Sequence, residues 1–83
     1  MYLKEVKNVI RDLMINPFKL NVERARACMS TADLAKAANV SIDTIARIYR
    51  NNGAAVRVTC TTAGKLAKAL NTDVMNLIVE NEN

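Results

Sequence analysis

Residues 31–50, TADLAKAANVSIDTIARIYR, decide the fold of this chain. Their apolar side chains follow helical spacing as far as Ala38, the pattern breaks at 39–41, and helical spacing resumes at Ile42. The segment is therefore predicted to form two short helices joined by a tight turn. Two helices this short cannot each bury a core, so we expect them to share one and to leave the outer face of the second helix free.

Polar residues mark the ends of both helices. Ser30 can cap the first helix, and Asp33, three residues later, completes a capping-box pattern. Asn39 falls where the first helix must end, and asparagine enters the left-handed region at low cost. Ser41 can cap the second helix. Each end of the turn is thus specified by a local hydrogen-bonding residue.

The second helix has a buried side and an outward side. Ile45 and Ile48, three residues apart, are predicted to be buried, and Ala35 of the first helix is small enough to let the second approach. The residues left outward are Ile42, Asp43, Thr44, Ala46, Arg47 and Arg50.

The segment resembles the lambda-repressor-like helix-turn-helix proteins, which include phage Cro proteins, phage repressors and XRE-type regulators. The resemblance covers roughly residues 19–79 and includes GKLAKALNTDVMNLI, residues 64–78, which looks like the fourth and fifth helices of that family. Two departures are Asn39, where the family most often has glycine, and a somewhat long loop at 51–61. The resemblance implies an all-α, five-helix DNA-binding domain, here with an extra N-terminal amphipathic segment.

Outside the central pair, the periodicity predicts four further helices. The first is residues 3–15, ended by Pro17, and the second is 21–28, with Val22, Ala25 and Met29 inward. The third is capped by Thr61 or Thr62 and runs to Leu70, with Leu66, Ala67 and Leu70 buried and Asn71 as its exit. The last is capped by Asp73, with Val74, Leu77 and Ile78 on its apolar side. The domain prediction is an N-terminal extension at 1–17, the helix-turn-helix domain at 18–80 and a polar tail at 81–83.

The N-terminal segment allows three interpretations. It can form a helix that enlarges a small core, or an amphipathic helix whose apolar face contacts a second subunit. A strand is also possible, because Val6, Val9 and Ile10 are β-branched.

Composition restricts the function classes. The chain has 83 residues, a net charge of +4, no histidine and two glycines, so neither a general base near neutral pH nor a phosphate-cradling glycine loop is available. Cys28 and Cys60 lack zinc-site spacing; Cys28 is predicted to be a small core residue and Cys60 to cap or flank a helix. We expect no catalytic residue, no metal and no cofactor.

Size and hydropathy point to one small cytoplasmic domain. The apolar runs are at most three residues long and the N-terminus lacks a signal-peptide pattern, so no membrane association is expected. Charge is unevenly distributed along the sequence: residues 36–68 contain six basic residues and one acid, Asp43. This asymmetry suits contact with phosphates, although an ordinary solvated surface explains the counts equally well.

The outward face of the second helix is the candidate DNA-reading surface. Arg47 is the first candidate for base contact, because a guanidinium can bond both guanine acceptors in the major groove. Thr44 can bond a base or a phosphate, Ile42 can contact a thymine methyl or cover the turn, and Asp43 can accept from cytosine or only stabilise its helix. The resemblance implies phosphate contacts at Thr31, Asn52 and Arg57. The full candidate set is Thr31, Ser41, Ile42, Asp43, Thr44, Arg47, Arg50, Asn52 and Arg57.

The sequence thus predicts a sequence-specific transcriptional regulator of Cro/XRE type, with double-stranded DNA as its partner. We expect a homodimer on a two-fold site, of phage or mobile-element repressor type, without a small-molecule ligand. The alternative is a protein-interaction module of the same fold, such as an antitoxin or a regulator's partner.

Overall fold

The computed structural model describes residues 11–79. Strand β1 spans Asp12–Ile15 and strand β2 spans Val56–Thr59, and the helices are α1 (Pro17–Arg26), α2 (Thr31–Ala38), α3 (Ile42–Tyr49) and α4 (Cys60–Ala69). A short 3-10 helix follows at Val74–Asn76. The described residues contain four α-helices and a small sheet, which is consistent with the predicted helix-turn-helix domain, but the all-α class and the five helices are not confirmed.

The central pair of helices forms as predicted. The hydroxyl of Ser30 accepts from Asp33 N at 3.0 Å, and the carboxylate of Asp33 accepts from Ser30 N at 3.1 Å, so the capping box is complete. Asn39 ends α2 in the left-handed region at φ 58° and ψ 45°. The hydroxyl of Ser41 accepts from Thr44 N at 3.1 Å and begins α3. The turn is thus fixed from both sides by its own polar residues.

The start of α1 corrects the prediction of a helix at 21–28. Asn16 accepts hydrogen bonds from Phe18 N and Lys19 N, and Pro17 occupies the first turn. Proline is favoured there because the first N–H groups of a helix have no partner within it. Pro17 therefore begins α1 instead of ending an earlier helix. The helix begins four residues before the predicted start at residue 21. Its buried residues are Pro17 and Leu20, while Val22 and Ala25, predicted inward, are exposed.

The predicted helix at 3–15 is wrong where it can be compared. Residues 3–10, including the β-branched Val6, Val9 and Ile10, lie outside the described residues. Residues 12–15 form β1, which pairs antiparallel with β2 in the register Asp12 to Thr59 and Ile15 to Val56. On its other side, β1 is joined to the C-terminal segment by a bridge between Ile15 and Ile78. Residues 56–59, which belong to the segment predicted to be a long loop, pair with residues 12–15 and so stabilise a strand where spacing alone favoured a helix.

The segment after β2 begins earlier than predicted. Thr59 caps α4, since its hydroxyl accepts from Thr62 N at 3.1 Å, and Cys60 is the first helical residue. Neither Thr61 nor Thr62 is the cap. The buried positions Leu66 and Leu70 are confirmed. Asn71 leaves the helix at φ 55°, as expected for an exit residue.

The C-terminal helix is shorter than predicted. Asp73 caps it, accepting from Met75 N at 2.9 Å, but the helix is a single 3-10 turn. Leu77 and Ile78 follow it and are buried. Leu77 O accepts from Asn16 N at 2.8 Å, so this segment closes against the entry to α1 instead of continuing as a helix.

The apolar side chains of the helices and strands pack together in one hydrophobic core. Its fully buried large side chains are Ile15, Leu20, Leu34, Ile45, Ile48, Leu66, Leu70 and Leu77. Cys28, predicted to be in the core, is instead exposed at φ 58° just beyond the end of α1, where the chain reverses direction. Within residues 11–79, no helix is long and apolar enough to cross a membrane.

Replacing Asp33 with asparagine should lower stability in a pH-dependent way. Hydrogen bonds from the backbone and then the hydroxyl of Ser30 lower the pKa of Asp33 from its ordinary value of 3.8. Because the folded pKa is the lower one, the charged cap contributes fully above 3.8, and the contribution is lost as pH falls through the folded pKa. Thermal melts of wild type and Asp33→Asn across this range should therefore converge in acid; a constant gap would contradict the assignment.

Candidate nucleic-acid interface

The outer face of α3 is exposed while its inner face is anchored in the core. Ile45 and Ile48 have 0% exposure, as predicted, whereas Ile42 is 50% exposed. Asp43, Arg47 and Arg50 are also exposed along the helix. The helix therefore presents a continuous outward surface whose side chains are not needed for packing.

The N-terminal turn of α3 holds its hydroxyl groups in place. Ser41 Oγ and Thr44 Oγ1 are 2.9 Å apart and share a hydrogen bond, while Ser41 also caps the helix. Thr44 is half-buried, so its hydroxyl is oriented beside the exposed Ile42 and Asp43. These four candidates, Ser41 to Thr44, lie together at the positive end of the helix dipole, where anionic groups are favoured.

A polar groove lies between α3 and β2. It has a volume of about 410 Å³ and is lined by Asp12, Thr44, Arg47, Arg57, Val58, Thr59 and Thr62. Arg47 Nη1 donates to the backbone oxygen of Arg57 at 3.4 Å, so the Arg47 side chain extends along the groove toward β2. The structure thus brings together three of the predicted site residues, Thr44, Arg47 and Arg57, which come from two different elements.

The remaining candidates lie outside this groove. Thr31 is the first residue of α2 and is half-buried. Arg50 caps the end of α3 and is exposed, and Asn52 is exposed in the following turn at φ 55°. Gly53 continues that turn at φ 81°, a conformation that glycine adopts without strain. Asn51 closes the turn by donating to the backbone oxygens of Ala54 and Ala55.

Arg24 of α1 fixes the C-terminal end of α3. Its Nε donates to the hydroxyl of Tyr49 at 3.1 Å, and its guanidinium lies 5.6 Å from the centre of the Tyr49 ring. The same guanidinium donates to Met29 O at 2.8 Å, which ties the α1–α2 turn to the helix. The orientation of the exposed face is therefore held by contacts at its far end as well as by the core.

The arginines of α3 and β2 form no ion pair with another residue between 11 and 79. Between residues 11 and 79 the one ion pair joins Arg26 to Glu23, both on α1. Lys36, Arg47, Arg50, Arg57, Lys65 and Lys68 are all exposed. In the same part of the chain, no three Cys, Asp or Glu residues are grouped so that they could hold a metal ion. The surface is suited to polyanion binding by charge and hydrogen bonding.

Four residues that line the groove, Asp12, Val58, Thr59 and Thr62, were missed by the sequence prediction. Asp12, Val58 and Thr59 belong to the paired strands β1 and β2, and Thr62 lies in the first turn of α4. A signal for β2 was present in the sequence: in VRVT, residues 56–59, apolar and polar residues alternate with period two, and Val56 and Val58 are the buried ones. Asp12 had no such local signal, because its position depends on the pairing.

Comparison with protein families gives a match that covers most of the chain. Residues 19–81 match the Cro/C1-type HTH DNA-binding domain. The matched range contains α2, α3, β2 and α4, and therefore both sides of the groove. No curated protein matches the sequence.

Among solved structures, the fold is similar to part of a much larger protein. A structure titled PhpD with cadmium complexed with hydroethylphosphonate aligns with a TM-score of 0.66 and 23% identity over 83% of this chain. A mutant of hydroxyethylphosphonate dioxygenase aligns with a TM-score of 0.65, also at 23% identity. This chain spans 14% of the length of each of these proteins. At this identity the likeness shows a shared fold alone.

Proposed function

Since the chain belongs to the Cro/C1-type helix-turn-helix DNA-binding family, we propose that it is a sequence-specific regulator of transcription that inserts α3 into the major groove. The observation that carries this proposal is the exposed face of α3 beside a groove with two arginines, Arg47 and Arg57, that form no ion pair with residues 11–79. Phosphate contacts position such a protein on the duplex, and base-edge contacts give it specificity.

The two arginines are assigned different roles. Arg47 lies on α3, so its guanidinium can turn from the groove toward base edges, where it matches the two acceptors of guanine. Arg57 lies on β2, beside the helix, where phosphates of the flanking backbone would pass. Thr31, Arg50 and Asn52 are proposed as further backbone contacts, and Ile42 as an apolar contact to a thymine methyl.

The regulator is proposed to act in the cytoplasm as a homodimer on a two-fold site. Two copies double both the base contacts and the phosphate contacts, which a single short helix supplies in small number. A repressor of phage or mobile-element type is the form we favour. No small-molecule ligand is part of the proposal, so regulation would come from protein concentration or from another protein.

A second candidate function is a protein-interaction module of the same fold, such as an antitoxin. The observation that favours it is Phe18 on α1, which is 74% exposed. Tight binding to a co-encoded protein together with weak duplex binding would support this alternative. A strong shift of duplex DNA by the protein alone would support the first function.

Substituting the two arginines separately tests the proposed function. On a site selected from a random duplex pool, Arg47→Ala should cost about 1 to 3 kcal/mol and relax the preference at one base pair of each half-site. Arg57→Ala should weaken selected and scrambled duplexes alike and reduce the salt slope by roughly 1 per lost phosphate contact. Both residues are exposed, so neither variant should change the fold. Titrating each variant against the selected and the scrambled duplex at two salt concentrations measures the affinity for each duplex and the salt slope.

An equal loss on both duplexes for Arg47→Ala would contradict base reading by Arg47. Specificity would then have to come from Ile42, Asp43 or Thr44, or from the shape of the DNA.

A further inference from the structure

The turn between α3 and β2 contains an asparagine followed by a glycine, Asn52 and Gly53. Of the asparagines in the sequence, Asn52 alone precedes a glycine. The backbone nitrogen that follows an asparagine is a nucleophile toward its side-chain amide, and glycine leaves this nitrogen unhindered because it has no Cβ. Asparagine is accordingly counted among the thermolabile residues. The pair is therefore a candidate site of chemical modification directly after the proposed DNA-reading helix.

The structure leaves both reacting groups unrestrained. Asn52 is exposed at φ 55°, and Gly53 follows it at φ 81°. The side-chain amide of Asn52 and the N–H of Gly53 form no hydrogen bond with another residue between 11 and 79. A Cβ added at Gly53 would meet no atom within 4 Å, so the space beside its backbone is open. Neither packing nor hydrogen bonding keeps the two groups apart.

The preceding residue, Asn51, provides a comparison within the same turn. Its Nδ2 donates to the backbone oxygens of Ala54 and Ala55 at 3.3 and 3.2 Å, so its amide is engaged. The nitrogen that follows it belongs to Asn52, whose Cβ hinders attack. The turn is closed by one backbone bond, from Ala54 N to Asn51 O at 2.9 Å. Exposed turns with few bonds open locally at low cost, and such opening allows Gly53 N to approach Asn52 Cγ.

We propose that Asn52 deamidates through a cyclic imide and that this reaction limits how long the protein binds DNA. Gly53 N bonds to Cγ of Asn52, the bond from Cγ to Nδ2 breaks, and the departing nitrogen takes the Gly53 amide proton and leaves as ammonia. Water then opens the imide at either carbonyl. One product is aspartate, and the other is isoaspartate, in which the backbone passes through the side chain. The inference rests on the proposed DNA-binding function, to which it adds a limit in time.

Both products weaken a DNA interface. Each places a negative charge where Asn52 is proposed to contact a phosphate, and like charges brought together at an interface lower affinity. Arg50 is exposed and forms no ion pair with the rest of residues 11–79, so it can pair with the new carboxylate instead of with DNA. Isoaspartate also lengthens the backbone between α3 and β2, which strains the connection to Arg57.

Mass spectrometry of the chain incubated at physiological temperature and pH tests the site. Trypsin cleaves after Arg50 and Arg57, so both asparagines of the turn lie in one peptide, residues 51–57. This peptide should gain the mass difference between an amide and an acid, and fragmentation should assign the gain to Asn52 and not to Asn51. Aspartate and isoaspartate should appear as two separable products.

Asn52→Gly is the control for the effect on DNA binding. Glycine adopts a positive φ without strain and has no side-chain amide, so the turn is kept and the reaction is blocked. Duplex affinity of the wild type should fall by about tenfold as modification nears completion. The affinity of Asn52→Gly, whatever its starting value, should stay constant over the same period.

Two further measurements separate charge from backbone effects and connect the reaction to DNA. Asn52→Asp carries the new charge on an unchanged backbone, so it should bind more weakly than fresh wild type but more tightly than fully modified wild type, which also contains isoaspartate. Bound duplex should slow the reaction of the wild type, because a phosphate at Asn52 keeps the turn closed.

An unchanged mass of peptide 51–57, or modification at another asparagine instead, would overturn the site. Complete modification without loss of duplex affinity would overturn its effect on binding, as would an equal decline of Asn52→Gly. If fresh wild type fails to bind duplex DNA, the proposed function fails, while mass spectrometry still decides whether Asn52 reacts.

Discussion

Raising the salt concentration from about 50 to about 200 mM should weaken duplex binding roughly 100- to 1000-fold, which corresponds to about 4 to 6 phosphate contacts. The physical reason is the release of counterions from DNA when cationic side chains replace them. Lys36, Arg47, Arg50, Arg57 and Lys65 are exposed, and none of them forms an ion pair with another residue between 11 and 79. Titration of a short duplex at several salt concentrations gives the slope directly.

Arg26→Ala provides the control for this measurement. Arg26 is a cation on α1 that is already paired with Glu23, so its removal should leave the slope unchanged. A flat response of the wild type between low and physiological salt would contradict the assignment of DNA binding.

Ile48→Ala should remove a large part of the stability of the domain. Ile48 has 0% exposure and joins α3 to the core. Truncating such a side chain typically costs about 2 to 5 kcal/mol, through lost burial and the cavity left behind. For a domain of this size, each kcal/mol lowers the melting temperature by about 4 to 8 °C, so a decrease of about 10 °C or more is expected.

Ile42→Ala is the matched control on the same helix. Ile42 is 50% exposed, so the same truncation should change the melting temperature little and should act on DNA affinity instead. A comparable loss of stability in both variants would mean that Ile42 is a core residue. It would then have to be removed from the list of DNA contacts.

The helix-turn-helix pair could be predicted because its determinants are local. The capping box of Ser30 and Asp33, the left-handed Asn39 and the Ser41 cap each act within three or four residues. The buried positions Ile45 and Ile48 follow from the helical period alone. Segments whose conformation is determined by near neighbours in the sequence are the ones that periodicity and caps describe well.

The rest of the fold depended on contacts that local patterns do not contain. Leu13 and Ile15 fit a helix with the apolar residues before them. In the strand, however, they alternate with the exposed residues Asp12 and Met14 and face the core. Only the presence of β2 makes that alternative favourable. Cys28 was predicted to be buried from its residue type, yet the hydrogen bonds that end α1 place it in a left-handed turn. The groove was missed in part for the same reason, since β2 forms one of its walls.

The sheet has a consequence for the order in which the molecule assembles. Ile15 and Val56, the paired residues closest in sequence, are 41 residues apart, whereas α2 and α3 are joined by a three-residue turn. Contacts between distant residues form late in folding, because the chain must first lose the entropy of closing a long loop. We therefore expect α2, α3 and α4 to associate first and β1 to join last. The sheet, whose strand β2 places Arg57 beside Arg47, would then be the last part of the interface to form and the first to open when the protein unfolds.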